Sequence, residues 1–286
     1  MDQTSAIILA VSLMIIMLGM GLSLVVEDFK RIFIQPKAIF IGLANQILIL
    51  PVFAFILASV FPLQPEIAVG LMILAACPGG PTSNLISHLA KADTALSVTL
   101  TAFSSFITII TIPFIVNFAL QQFLDQDTMI QLDVVQTFLQ ILLIVIIPIS
   151  IGMIIRSYKE KFALKMAKPV RIASGILLVV IIIGLIIKER ETLATSFEQA
   201  GLVVVILNLL VMLFAFYSGK IFKISTKRSM SIAIESGIQN GTLGITVAVV
   251  LLNNSAFAVI SALYGVLMFF SGALAIYIGT KQSKVS

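Results

Sequence analysis

The feature that most constrains this chain is a recurrence of apolar stretches about as long as a bilayer is thick. A helix that crosses the hydrocarbon needs about 20 mostly apolar residues. Nine such stretches can be read, at roughly 5–26, 36–61, 66–90, 93–123, 131–156, 169–187, 199–219, 229–252 and 255–280. The breaks between them carry charge or proline, as at Glu27-Asp28-Phe29-Lys30-Arg31, Phe61-Pro62-Leu63-Gln64-Pro65 and Asp125-Gln126-Asp127. No soluble domain or low-complexity segment is left over. Only 11% of the residues are charged and 59% are apolar, whereas a soluble domain is about a quarter charged. The expected fold class is an all-α polytopic membrane protein. Met1–Thr4 holds Asp2 and no basic residue, unlike the start of a cleavable signal, so the first span is expected to stay in the membrane.

The basic residues test this map, because cytoplasmic loops hold an excess of Lys and Arg. With the N-terminus outside, sixteen of the 18 basic residues fall on cytoplasmic segments. These are Lys30, Arg31 and Lys37; Lys91; Arg156, Lys159, Lys161, Lys165, Lys168 and Arg171; Lys220, Lys223, Lys227 and Arg228; and Lys281 and Lys284. Only Lys188 and Arg190 fall outside, beside Glu189 and Glu191. An even number of spans would spoil this alternation. The net charge of +5 therefore faces the cytoplasm and anionic lipid, and it calls for no nucleic acid. The C-terminus is expected to be cytoplasmic.

Two spans carry helix breakers at their middles. The third contains Ala76-Cys77-Pro78-Gly79-Gly80-Pro81-Thr82-Ser83-Asn84. Proline removes a helical hydrogen bond and crowds the preceding turn. Unwound backbone at that depth is tolerated only against protein or a wet cavity. A simple proline kink is the plainer alternative, but the density of breakers and the polar run after them favour a true break. The eighth span contains Glu235-Ser236-Gly237-Ile238-Gln239-Asn240-Gly241-Thr242-Leu243-Gly244. On the topology above the two run in opposite directions. A pair of interrupted spans, one per half, points to an inverted-repeat transporter. The halves match if the first lacks a leading helix, leaving four spans before about residue 126 and five after.

Glu235 is the acid that falls at the centre of a span. Such a placement costs ~2.5–3.5 kcal/mol on insertion scales, and no Lys or Arg lies at a similar depth to offset it. A bound cation or a proton can do so; a protonated, purely structural Glu is the alternative. The other buried polar residues are mainly oxygen donors: Asn45 and Gln46, then Thr82, Ser83 and Asn84, then Ser97, Thr99, Thr101, Ser104 and Ser105. Ser97, Thr101, Ser104 and Ser105 share one helix face. Hydroxyls, amide oxygens, freed carbonyls and one carboxylate suit a hard monovalent cation. Interhelical hydrogen bonding is the competing reading. It is preferred for Ser104 and Ser105 and left open for Ser97 and Thr101. His88 reads as interfacial, Cys77 as a small packing residue, and Gly19-Met20-Gly21 as close helix packing. No phosphate loop, metal-ligand cluster or nucleophile–base pair is visible, so an enzyme is not expected.

These residues resemble the bile acid:sodium symporter family. The matching pieces are Gly19-Met20-Gly21-Leu22, Cys77-Pro78-Gly79-Gly80 with Ser83-Asn84, Ala95-Leu96-Ser97-Val98, and Glu235-Ser236-Gly237-Ile238-Gln239-Asn240, in order along the chain. The resemblance is to the nine-helix form, lacking the first helix of ten-helix bacterial relatives, and implies a bacterial inner membrane. It implies panel helices at 5–26 and 130–190 and a core built from 36–125 and 199–280, with the two broken helices crossing at mid-membrane. It implies two sodium sites. One would use Ser83, Asn84, Ser97, Thr101 and Glu235. The other would use Gln46, Glu235, Gln239 and the carbonyls of Ser236 and Ile238. Substrate would bind beside the crossover near Thr82 and Asn240. Two departures from the family matter: Pro81 stands where bacterial relatives often have Thr, and Leu267-Met268-Phe269 replaces a Trp-His-Asn run, so Pro81, Met268 and Phe269 are among the altered substrate-side positions. The expected function is sodium-coupled symport of an organic anion, a bile-acid-like sterol or a small carboxylate, by alternating access in a lipid bilayer. No obligatory protein partner is inferred. The alternatives are a sodium-independent channel or uniporter and a proton-coupled carrier using Glu235.

Overall fold

The computed structural model describes residues 3–124, 132–188 and 190–282; the Asp125-Gln126-Asp127 break and Lys284 lie outside them. Among the described residues the chain is all helix, with no strand. The order is α1 (Gln3–Gly21), α2 (Val26–Ile34), α3 (Pro36–Ala44), α4 (Leu50–Val60), α5 (Pro65–Ala76), α6 (Pro81–Leu89), α7 (Thr94–Phe123), α8 (Val134–Ile141), α9 (Ile147–Tyr158), α10 (Glu160–Lys188), α11 (Arg190–Ile221), α12 (Thr226–Gly237), α13 (Gly241–Thr246) and α14 (Ala258–Gln282). Five helical stretches are long and apolar enough to cross a membrane: Pro36–Val60, Thr94–Phe123, Val134–Tyr158, Phe197–Ile221 and Ala258–Gln282. A sixth follows if Ala6–Gly21 and Val26–Ile34, bent by 63°, count as one.

Two of these stretches widen into a five-residue π turn, Asn45–Ile49 between α3 and α4 and Leu142–Ile146 between α8 and α9. Each is followed closely by a proline, Pro51 and Pro148. Neither proline can donate to the carbonyl four residues back, and each ring crowds it. The backbone accommodates this just upstream with five-residue bonds, from Leu50 N–H to the Asn45 carbonyl and from Ile147 N–H to the Leu142 carbonyl.

Glycines let α1 and α9 meet at backbone distance. A Cβ on Gly152 would lie 2.5 Å from the Leu18 carbonyl oxygen and 2.7 Å from the Leu22 nitrogen, and one on Gly21 would strike the Ile149 carbonyl. Neither backbone can move aside. Gly152→Val is therefore expected to lower the thermal unfolding midpoint in detergent, at a cost of about 1–3 kcal/mol or more. Gly175→Val, where a Cβ meets nothing within 4 Å, should leave the midpoint unchanged; equal effects would show that the close approach is unimportant.

The third and eighth stretches are broken, and the breaks are shorter than their sequence suggests. Pro81 opens α6 at its first turn, where a missing N–H costs nothing. Thr82, Ser83 and Asn84 are therefore helical, and only 77–80 are unwound. Likewise Glu235 and Ser236 lie in the last turn of α12, and only 238–240 are unwound. The two breaks lie against each other. Gly79 and Gln239 form an antiparallel bridge, and the Asn240 N–H donates to the Pro78 carbonyl at 2.9 Å.

Candidate functional site

Three hydroxyls converge on the Glu235 carboxylate, itself 1% exposed. Ser83, from the first turn of α6, and Ser97, from α7, donate to Oε2 at 2.7 and 2.9 Å. Thr101, one turn along α7, donates to Oε1. Their positions follow from sequence: Ser97 and Thr101 are four apart and share a helix face. A second set of contacts pins α7 to α12 further from the break. Asp93 caps α7 by accepting from Leu96 N–H at 3.0 Å. Its carbonyl accepts from Ser231 Oγ at 2.9 Å, and its carboxylate pairs with Arg228 at 3.3 Å. Asp93 lies four residues before Ser97, and Arg228 seven before Glu235, so the two helices are held in register.

The cluster has too few protons. Ser83 Oγ also lies 2.6 Å from the Gly80 carbonyl, Thr101 Oγ1 3.0 Å from the Ser97 carbonyl, and Asn84 Oδ1 accepts from Ser97 and Thr101 at 2.9 and 3.1 Å. With the three contacts to Glu235, that makes seven oxygen–oxygen contacts of hydrogen-bond length. Each hydroxyl carries one proton, and an ionised carboxylate, a carbonyl and, in this amide orientation, the Asn84 oxygen carry none. In this arrangement three hydroxyl protons face seven contacts, and some must be shared. Lone pairs facing one another in a buried site repel, and a cation among them removes the conflict. The donors are all hard oxygens with a single formal negative charge, which fits a hard cation of low charge. Among the described residues no group of three His, Cys, Asp or Glu could hold a metal ion.

A second polar group adjoins the break. Gln46, on the π turn after α3, donates its amide to the Cys77 carbonyl at 3.0 Å and to Gln239 Oε1 at 2.8 Å. Gln239 donates in turn to the Ser236 carbonyl at 2.7 Å. Gln46 Oε1 and Ser236 Oγ are buried without a hydrogen-bond partner, which leaves acceptor capacity there for a cation. Ile238 is fully buried, and its N–H caps α12 on the Ile234 carbonyl at 2.8 Å. Gly79, which pairs with Gln239 across the crossing, lies against Glu235 as well: a Cβ there would collide with Oε1.

The substrate-side positions are more scattered. Pro81 and Thr82 are half-buried at the start of α6. Asn240 is buried and caps α13, accepting from Leu243 N–H at 3.1 Å. Met268 is 2% exposed in the apolar cluster that includes Ile86, Ile238 and Tyr264, whereas Phe269 is 47% exposed. Ser104 and Ser105 donate to their own helix, both to the Thr101 carbonyl, rather than to a neighbouring one. Thr99 does reach across, to the Asp28 carbonyl at 3.0 Å. His88 is exposed, and Cys77 is buried at the end of α5. Sequence reading passed over Asn208 and Tyr264, which meet at the end of α12. The signal for Asn208 was present, a lone amide in the apolar run Val203–Val211.

Comparison with known proteins adds to this geometry. The Sodium Bile acid symporter family matches residues 10–196. The chain is similar to an uncharacterized sodium-dependent transporter, YocS, of Bacillus subtilis (strain 168), with 34% identity over 271 residues, covering 94% of this chain and 82% of that one. It is 31% identical over 239 residues to a probable chloroplastic sodium/metabolite cotransporter, BASS1, of Arabidopsis thaliana, covering 83% of this chain and 58% of the longer plant protein. It is 28% identical over 250 residues to the ileal sodium/bile acid cotransporter of Oryctolagus cuniculus, covering 84% of this chain and 68% of that one. These are transporters, and the apolar helices make this chain an integral membrane protein. The match over residues 10–196, together with the relatives that extend it across the second break, establishes that the chain belongs to the Sodium Bile acid symporter family.

Proposed function

We propose that this protein is a sodium-coupled symporter of an organic anion that works by alternating access. The observation that carries the reading is the proton-poor oxygen cluster around Glu235, in which seven short contacts share three hydroxyl protons. Sodium is the cation transported by the relatives whose names specify one. In this reading Ser83, Asn84, Ser97, Thr101 and Glu235 hold one ion, and Gln46, Glu235, Gln239 and the carbonyls of Ser236 and Ile238 hold a second.

The chain spans the membrane nine times, with the N-terminus outside and the C-terminus in the cytoplasm of a bacterial cell. Residues 36–125 and 199–280 form an inverted-repeat core whose broken helices cross at mid-membrane, and 5–26 and 130–190 form the panel. The anion, a bile-acid-like sterol or a small carboxylate, binds between them near Thr82 and Asn240, at the positive N-terminus of α6. Of the altered positions, Pro81 adjoins that N-terminus, whereas Met268 is buried among Ile86, Ile238 and Tyr264 and Phe269 is exposed. Sodium and anion bind cooperatively because both order the same break.

The test is uptake of labelled organic anions into proteoliposomes under an inward sodium gradient, an inward proton gradient, or neither. Sodium-driven accumulation above the external concentration is the expected result. Accumulation driven by protons alone would make the protein a proton-coupled carrier. Downhill flux indifferent to both would make it a channel or uniporter.

A further inference from the structure

The end of α12 is gripped from two sides, and only one side involves the cluster described above. α6 and α7 hold it through Glu235. α11 and α14 hold it through the carbonyl of Gly237, its last residue. Asn208 on α11 donates its amide to that carbonyl at 2.8 Å and to the Tyr264 hydroxyl at 2.9 Å, and Tyr264 on α14 donates to the same carbonyl at 2.8 Å. Both side chains are buried, at 4% and 1% exposure. Gly237 permits the approach, since a Cβ there would run into the side chain of Met212 on α11.

This arrangement repeats one at the other break. There Gln46 donates its amide to the carbonyl of Cys77, which caps α5. In both cases a side-chain amide from the preceding span takes the carbonyl where a half-helix ends. The separations in sequence are 31 residues for Gln46 and Cys77 and 29 for Asn208 and Gly237. The proton balance differs. Asn208 supplies two amide hydrogens and Tyr264 one hydroxyl hydrogen, and these serve three contacts. The triangle is complete by itself. Beside Gln46, by contrast, a buried amide oxygen has no partner.

We propose that Asn208 and Tyr264 are positioning residues that fix the broken end of α12 through the Gly237 carbonyl and thereby set the affinity for sodium without touching the ion. The proposal rests on the sodium-coupled reading. Its logic is steric and electrostatic. Glu235 and Ser236 lie two residues and one residue before Gly237, so their placement depends on where that end is held. A triangle that needs no ion stays closed through the transport cycle and gives the ion-dependent side a fixed counterpart to close against. Outer partners that orient metal ligands typically change affinity 10–100-fold when removed.

The experiment is thermal unfolding of the purified full-length chain in detergent, titrated with sodium chloride against choline chloride at constant ionic strength. Wild type, Tyr264→Phe, Asn208→Leu and Leu13→Ala are compared. Leu13 is a fully buried α1 residue in a different apolar cluster and reports what loss of stability alone does. Tyr264→Phe is expected to raise the sodium concentration for half-maximal stabilisation about tenfold, and Asn208→Leu by at least as much. Leu13→Ala should lower the melting temperature and leave that concentration unchanged. Tyr264→Phe removes one oxygen, so it keeps the test sharp if Asn208→Leu fails to fold. A lowered melting temperature with the wild-type sodium midpoint in Tyr264→Phe would make the triangle merely structural and overturn the proposal, as would an equal shift in Leu13→Ala. A wild type that responds to sodium and choline alike would instead remove the sodium reading itself, and the proposal with it.

Discussion

Glu235→Gln is expected to abolish sodium-driven accumulation and, in the absence of sodium, to unfold at a higher temperature than the wild type. The two effects have one cause. An unpaired carboxylate among hydroxyl and carbonyl oxygens is costly when empty, because its charge is desolvated and three hydroxyl protons are shared among the short contacts. Glutamine has the same shape, carries no charge and adds two hydrogens, so it relieves the empty cluster. It also removes the one formal charge of the proposed cation site, so sodium affinity is expected to fall sharply. Uptake into proteoliposomes and a sodium-free melting curve, measured on one preparation, test both halves. A variant that still accumulates substrate on a sodium gradient would take Glu235 out of the mechanism.

The second large effect is expected at Gly79. No glycine in the described residues has a positive φ, so conformational freedom is not what Gly79 provides. Space is: a Cβ there would overlap Oε1 of Glu235, the oxygen held by Thr101. Gly79→Ala must push the carboxylate off that contact. It is expected to reduce sodium-dependent uptake nearly as far as Glu235→Gln does. Gly80→Ala is the matched control. Its backbone is extended, at φ −131° and ψ 177°, and its nearest new neighbour would be Asn240 Cβ at 3.6 Å, an ordinary contact. Gly80→Ala should keep most of its uptake. Equal loss in both would mean that the break tolerates no side chain at all, and that the space beside Glu235 has no special role.

Much of this was legible in the sequence because the bilayer as solvent simplifies the code. Length and apolarity alone locate five spans, or six with the bent pair, and breakers in an apolar run locate the unwound segments, but α2 lies over the charged stretch 27–31 that reads as a break. The cation candidates were legible for the same reason, since a carboxylate or an amide in hydrocarbon needs an explanation. Several features were not legible. Pro81 was read as part of the unwound segment, yet it starts α6, because one residue type both ends and begins helices. The π turns at Asn45–Ile49 and Leu142–Ile146 each precede a proline, a relation that hydropathy does not register, and a third at Val247–Leu251 has no proline to announce it. Ser104 and Ser105 turn back onto their own backbone, a choice made by local packing. Asn208 and Tyr264 meet across 56 residues of chain, and no local pattern announces such a pairing.

The bond from Asn240 to Pro78, within the bridge between Gly79 and Gln239, ties the two breaks directly to each other. A displacement of one break therefore bears directly on the other, with no residue in between. Relative motion is left to seams whose contacts are apolar, such as the packing of α1 on α9, rather than to those pinned by Asp93 and Arg228 or by Thr99 and Asp28.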